Sequence, residues 1–222
     1  MAPKYIIEHM EDNLHEWCLL EYYHIATFIH PSNLYFTNLS MTAETSFKNS
    51  EIPKETNFIT ENIINMNVPM DKICLLDPAS NQVLEPTDGD AFEYFLFGGI
   101  LGDDPPRDRT SELRRLGFTT RNLGAMQMTT DTAVHVTKRI VDDRVPINQI
   151  PYIDFPEIKI SKTESVIMPF RYIAIPDSHK STLQTTDNEM KQNIVPLLPS
   201  GMIDLLKKTE IWHLNFKYLQ SI

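Results

Sequence analysis

The feature that most constrains the fold is an apolar run at residues 94–97 that leads directly into a glycine-rich turn at 98–102. A continuous apolar run without alternation is typical of a strand buried on both faces of a parallel sheet. Glycine at the carboxyl end of such a strand lets the backbone approach a ligand closely. The run therefore predicts the central strand of an α/β domain, with a candidate ligand site at its end.

Strands and helices alternate around this run. Apolar strands are indicated at 5–7, 34–36, 73–76 and before Leu123. Helical patterns occur at 14–28, at about 58–66, at 108–116 and from about 130 to 141. Thr129 or Thr130 can cap the last of these helices, and Glu21 falls on the otherwise apolar face of the first. Alternation of this kind predicts a parallel sheet.

Beyond residue 145 the pattern changes to short apolar pieces at 152–155 and 170–175, separated by turns and prolines. The stretch 177–193 is polar and has no apolar period, which predicts a mobile surface loop. A last helix is expected at 202–208, followed by apolar residues between 211 and 218. We therefore divide the chain into a core at 1–145 and a C-terminal extension at 146–222 that packs on it.

Charge narrows the classes of partner. The 222 residues include 30 acidic and 20 basic side chains, which gives a net charge of −10. Such a charge repels phosphate backbones and attracts basic proteins, so no sequence-specific nucleic acid ligand is expected. The alternative is that the charge serves only solubility.

The sequence also bears on cellular location, the cysteines and metal binding. No apolar stretch approaches the length of a membrane span, and the first residues lack the pattern of a signal peptide, so a soluble, cytoplasmic protein without a membrane partner is expected. Cys18 and Cys74 lie among apolar residues and are expected to be buried free thiols. The seven histidines show no ligand spacing, so no metal site is expected.

The glycine-rich turn does not suit a phosphate. Phe97 occupies the position of the first glycine of a dinucleotide fingerprint, and Asp103 and Asp104 bring two anions where a pyrophosphate would bind. The two carboxylates suit a cation instead, such as a sulfonium or a guanidinium. The alternative, which the residues alone favour, is that they shape a turn and pair with Arg107 or Arg109. Motifs for serine hydrolysis or phosphate transfer are missing from the sequence.

Two groups of motifs resemble a known family. Leu123-Gly124 followed by Met-Thr-Thr-Asp-Thr-Ala at 128–133 is similar to the loop that makes the trefoil knot of SPOUT methyltransferases. The segments 5–11, 97–103, 105–110, 126–133 and 168–172 resemble the fungal SPOUT protein arginine methyltransferases. The resemblance runs from about residue 4 to 208, and 38–65 and 176–197 carry no motif of the family. It implies a SPOUT-type parallel sheet with a deep trefoil knot.

The resemblance also implies a methyl donor and its site. S-adenosylmethionine is expected to lie bent in the knot and to leave S-adenosylhomocysteine as product. The residues expected to hold it through backbone are Leu76, Phe97, Gly99, Gly102, Leu123, Gly124, Met126 and Met128. The hydroxyls of Thr130 and Thr132 are expected to add contacts. The alternative for both methionines is that they fill the core.

For the acceptor, the resemblance implies an arginine of a basic small-subunit ribosomal protein and a monomeric enzyme. The usual second loop of the class carries Arg-x-Glu where this chain has Thr-Thr-Asp at 129–131, which removes a cation that RNA-modifying members use. Candidate catalytic carboxylates are Asp103, Asp104 and Glu8, although Glu8 can equally cap the segment that follows it. An RNA methyltransferase and a catalytically silent ribosome-assembly adaptor remain as alternatives.

Overall fold

The computed structural model describes residues 2–11, 14–48, 50–99, 108, 110–177 and 194–208. Its strands are β1 (Lys4–His9), β2 (Leu34–Thr37), β3 (Asn57–Phe58), β4 (Ile73–Leu76), β5 (Tyr94–Gly99), β6 (Thr119–Arg121), β7 (Tyr152–Asp154), β8 (Glu157–Lys159), β9 (Ser165–Ile167), β10 (Arg171–Pro176) and β11 (Ile194–Pro196). Its helices are α1 (Glu16–Phe28), α2 (Met41–Lys48), α3 (Asp88–Ala91), α4 (Ser111–Arg114), α5 (Thr130–Val141) and α6 (Met202–Lys208).

A six-stranded parallel sheet in the order β3-β2-β1-β5-β4-β6 forms the centre of the molecule. Strand β5 pairs with β1 over its whole length, from Tyr94 opposite Lys4 to Gly99 opposite His9, and with β4 on its other side. Phe95, Leu96 and Phe97 are buried. The predicted central strand and the parallel α/β class are therefore confirmed.

Hydrophobic clusters cover both faces of the sheet. Because side chains alternate along a strand, Ile7 faces the larger cluster while its neighbour Ile6 belongs to the smaller one. The larger cluster contains residues of α1 and α5, such as Ile25 and Val134, and these two helices pack against each other. This arrangement explains why the central strands are apolar at consecutive positions.

In residues 37–66 the sequence predicts no helix where one forms, and predicts one helix that does not form. Residues 41–48 form helix α2 in a region that the sequence marks only as polar, because Phe47 is fully buried and stacks on Phe36 with ring centroids 5.5 Å apart. The helix predicted at 58–66 is instead strand β3 and a single 3-10 turn, Ile63–Met66. Asn62 caps that turn, and Asn67 ends it at a φ of 52°.

The C-terminal part packs beside the sheet. Strand β10 pairs antiparallel with β7 and β11 and packs against α5, while α6 packs against α1. The strands predicted near 152–155 and 170–175 and the helix at 202–208 are confirmed. The polar stretch from 178 and the apolar tail after 208 lie outside the described residues, and the division at 145 and the threading of the knot stay predictions. Of the described helices, none is long and apolar enough to cross a membrane.

Gly99 at the end of β5 has a packing requirement. A Cβ atom there would lie 2.3 Å from Tyr22 Oη and 2.9 Å from Ile7 Cγ2. Tyr22 is held by its hydrogen bond with His9 Nδ1, at 3.0 Å, and is fully buried. The carboxyl end of β5 therefore packs so closely against helix α1 that position 99 has no room for a side chain.

We expect Gly99→Ala to lower the free energy of unfolding by about 1–3 kcal/mol, because overpacking forces the tyrosine or the strand to shift. Chemical denaturation measures this loss. The Tyr22→Phe variant serves as a matched background, because it lacks the hydroxyl nearest to the added Cβ. We expect Gly99→Ala to lower the free energy of unfolding less in that background than in the wild type. Equal costs in the two backgrounds would contradict the proposed fit.

Candidate functional site

The carboxyl ends of three adjacent strands meet at one edge of the sheet. Glu8 near the end of β1 lies opposite Gly98 of β5, and β4 ends at Leu76 on the other side of β5. In parallel α/β sheets this edge is where ligands bind. The fold therefore brings together Leu76, Phe97 and Gly99, which the family resemblance assigns to the methyl donor.

A second loop, residues 122–129, follows β6 next to this edge. Gly124 has a φ of +94°, and a Cβ atom there would meet nothing within 4 Å, so conformation and not crowding requires glycine. Its backbone N donates to Asn122 Oδ1 at 2.9 Å, and Asn122 Nδ2 donates to the carbonyl of Ser80 at 2.8 Å. The start of the loop is thus tied, through Asn122 and Ser80, to the segment that follows β4.

The end of the loop is tied to β10 and to α5. Met128 forms a parallel bridge with Arg171, whose backbone N donates to the carbonyl of Gln127 at 2.8 Å. Thr129 occupies the N-cap position of α5, as predicted, but its hydroxyl donates to Thr132 Oγ1 at 2.8 Å and not to the helix backbone. The hydroxyl of Thr132, which the resemblance assigns to a contact with the methyl donor, is therefore already hydrogen-bonded to Thr129.

Glu8 is buried and bonded. The hydroxyl of Thr37 donates to its carboxylate, and the backbone N of Ile63 donates to Oε2 at 3.1 Å. Burial raises the pKa of Glu8 above its ordinary value, while the bonds from Thr37 and Ile63 oppose the shift. These bonds of Glu8 go to Thr37 and to the 3-10 turn at Ile63–Met66, and not to the segment that follows Glu8, which the sequence offered as an alternative. Its catalytic role stays a prediction.

Several of the predicted site residues lie outside the described residues. These are Gly102, Asp103 and Asp104, together with Arg107 and Arg109 as their alternative partners. The chain is described again at Asp108 and from Thr110 onwards.

Asp108 is held by an ion-pair network that sequence reasoning missed. Arg114 of α4 donates to both oxygens of Asp77, at 2.5 and 2.8 Å, and to both oxygens of Asp108, at 2.9 Å. Asp77 follows Leu76 directly and is fully buried, whereas Asp108 is exposed. The guanidinium of Arg114 lowers the pKa of Asp108. The sequence marked Asp77 only as the end of a strand, although a carboxylate that follows a buried strand needs a partner.

A second missed feature is a pair of buried carboxylates between α1 and α5. Glu21 accepts from Trp17 Nε1 at 2.5 Å and from the backbone N of Thr130 at 3.2 Å. Asp131 Oδ2 lies 2.6 Å from His24 Nδ1. Burial, and then the charge of Asp131, raise the pKa of Glu21 well above its ordinary value. The available signal was an acid on an otherwise apolar helix face.

Cys18 and Cys74 are buried and are not joined in a disulfide. Within the part of the chain that the structure describes, no three side chains of His, Cys, Asp or Glu are grouped so as to hold a metal ion. Burial raises the pKa of Cys74 to about 12, so this thiol stays protonated and packs as an apolar side chain.

Comparison with known proteins gives one consistent result. The family model described as protein arginine N-methyltransferase SFM1-like matches residues 4–211. Protein arginine N-methyltransferase SFM1 of Saccharomyces cerevisiae is 40% identical over an alignment of 217 residues, which covers 92% of this chain and 94% of that protein. A crystal structure of the yeast enzyme with S-adenosylmethionine (SAM) is 38% identical, with a TM-score of 0.76, and covers 94% of this chain and 91% of that one. Further crystal structures of the yeast enzyme are complexes with S-adenosylhomocysteine (SAH) or with a ligand abbreviated MTA.

A more distant likeness concerns the fold alone. The Trm10 protein of Thermococcus kodakaraensis is 15% identical, with a TM-score of 0.50, over 66% of this chain and 96% of that one. Together with the yeast structures, it confirms the SPOUT-type α/β fold.

The Asp77–Arg114 pair can be tested against a matched surface pair. Arg114→Ala leaves the Asp77 carboxylate buried without its guanidinium, so we expect the free energy of unfolding to fall by about 1.5–3 kcal/mol. Arg144 pairs with Asp90 at the surface, both largely exposed, so Arg144→Ala is expected to cost clearly less than Arg114→Ala. Urea denaturation of both variants measures the difference. Equal losses would show that Arg114 does not anchor the edge.

Proposed function

Because this chain belongs to the family of SFM1-like protein arginine N-methyltransferases, we propose that it methylates an arginine of a basic protein of the small ribosomal subunit. The general reaction follows from the family: the chain is a SAM-dependent protein arginine N-methyltransferase, with SAH as its product. The ribosomal substrate rests on the resemblance of the motifs and on charge. The single observation that carries the proposal is the match to this family over residues 4–211.

The carboxyl edge of the sheet fits such a donor. SAM supplies a methyl group on a positively charged sulfonium. The ends of β4 and β5, with Leu76, Phe97 and Gly99, would hold it on one side, and Leu123 and Gly124 on the other. The open space beside Gly124 leaves its backbone accessible to a ligand, as close approach requires. Gly102, Met126, Met128, Thr130 and Thr132 complete the proposed set.

The protein must also handle the acceptor. A guanidinium has a pKa above about 12, so its proton leaves during or after attack on the methyl group, and a carboxylate can orient the group and accept that proton. We assign this role to one of Asp103, Asp104 and Glu8. The raised pKa of Glu8 makes it a stronger base than an ordinary carboxylate.

Electrostatics favour a protein acceptor over RNA. The net charge of −10 attracts a basic ribosomal protein and repels a phosphate backbone. We therefore propose a monomeric enzyme that meets its substrate in the cytoplasm, without a membrane partner or sequence-specific contact to nucleic acid. An RNA methyltransferase and a silent ribosome-assembly adaptor are the alternatives to test.

Methyl-labelled SAM tests the acceptor directly. The purified chain is incubated with fungal ribosomes that lack the modification, and the product is digested separately with protease and with ribonuclease. We expect label that only protease releases and that is recovered as methylarginine. Label released by ribonuclease would replace the proposal with RNA methylation, and no transfer of label would favour the adaptor.

The three carboxylates are tested by isosteric replacement. We expect at least one of Asp103→Asn, Asp104→Asn and Glu8→Gln to slow methyl transfer by about 10²-fold or more, since an amide cannot accept the proton. Thr37→Val is the matched control for Glu8, because it removes the hydroxyl bond and leaves the carboxylate. Unchanged rates in all three amide variants would contradict the assignment.

A further inference from the structure

Glu21 lies in the middle of α1, yet its carboxylate contacts the first residue of α5. Its side chain is buried, and Oε2 accepts the backbone N–H of Thr130 at 3.2 Å. The other oxygen accepts from Trp17 Nε1 at 2.5 Å. Each oxygen of this carboxylate therefore has a different partner, and one of these is the N-terminus of another helix.

This contact takes the place of the usual helix cap. The first N–H groups of a helix have no partner within the helix, and a Ser or Thr at the N-cap position normally supplies one. Thr129 holds that position, but its hydroxyl is directed to Thr132. Glu21 supplies the acceptor instead, so α1 fixes where α5 begins.

The position of α5 determines that of the loop before it. Thr130 directly follows the loop at 122–129. That loop contains the residues that we propose to hold SAM, namely Leu123, Gly124, Met126 and Met128. Further contacts hold this loop at its start, where the backbone N of Gly124 donates to Asn122, and at its end, where Met128 forms a bridge with Arg171. Glu21 thus provides the contact at the junction of loop and helix.

We infer that Glu21 is a positioning residue for the methyl donor, which fixes the loop at 123–130 in the shape that binds SAM. This inference rests on the proposed function of that loop. Burial and the neighbouring Asp131 raise the pKa of Glu21, while the hydrogen bonds from Trp17 and Thr130 oppose the shift. Trp17 donates to the other oxygen, Oε1, whereas Thr130 is bound by Oε2.

Isothermal titration with SAM separates positioning from general stability. We expect Glu21→Ala to raise the Kd for SAM about tenfold, or about 1.4 kcal/mol, because the loop loses its fixed end. We expect the turnover number at saturating SAM and substrate to stay within about threefold of the wild type, since the reacting groups are unchanged. Trp17→Phe is the matched control, because it removes the other hydrogen bond of Glu21, and its Kd is expected to stay within about twofold.

A second variant keeps the test open if Glu21→Ala does not fold. Glu21→Gln keeps the size of the side chain but only one acceptor oxygen for two donors, so we expect its Kd to rise about threefold, between the wild type and the alanine variant. An unchanged Kd in the folded variants, or an equal rise in Trp17→Phe, would overturn the inference and leave the proposed function standing. Failure of the wild type to bind SAM would overturn both.

Discussion

The position of β5 between β1 and β4 is the constraint on which the rest of the structure depends. The strand is paired along its whole length with β1, and its apolar side chains face a hydrophobic cluster on each side of the sheet. Its last residue, Gly99, fits against Tyr22 of α1 without room for a side chain. The edge at which the strands end is therefore fixed by the interior of the molecule. A site built at that edge is held in place before any ligand binds.

Polar contacts then attach the loops to this frame. Arg114 joins the buried Asp77, directly after β4, to Asp108. Glu21 joins α1 to the start of α5. Both contacts use a charged or ionisable group inside the protein, where a missing partner costs far more than at the surface. The loops thus depend on a few side chains that lie outside the family's motifs.

The sequence predicts the parts of the fold that burial specifies. The strands at 73–76 and 94–99 are recognised because residues covered on both faces must be apolar at every position. Helix α2 is missed because it buries only Ala43 and Phe47, and Phe47 is held by stacking on Phe36 and Phe58 of two strands. The 3-10 turn at Ile63–Met66 is missed because its polar caps are local and its length is short. Tertiary contacts of this kind leave little periodicity to detect.

The candidate site likewise has parts that the sequence predicts and parts that it does not. Glycines and their spacing indicate where a ligand can approach, and the resemblance names the ligand. The partners of Glu8, Glu21 and Asp77 cannot be read from the sequence, because each carboxylate bonds a residue on another element. Glu21 shows the only visible trace, an acid among the apolar residues of one helix face.

The central claim is that the edge formed by β4 and β5, together with the loop at 123–130, holds the methyl donor. A crystal structure of this chain with S-adenosylhomocysteine tests it most directly. The account predicts the ligand in contact with Leu76 and Phe97 on one side and with the backbone of Leu123 and Gly124 on the other. A ligand bound elsewhere, with this edge unchanged and empty, would contradict it.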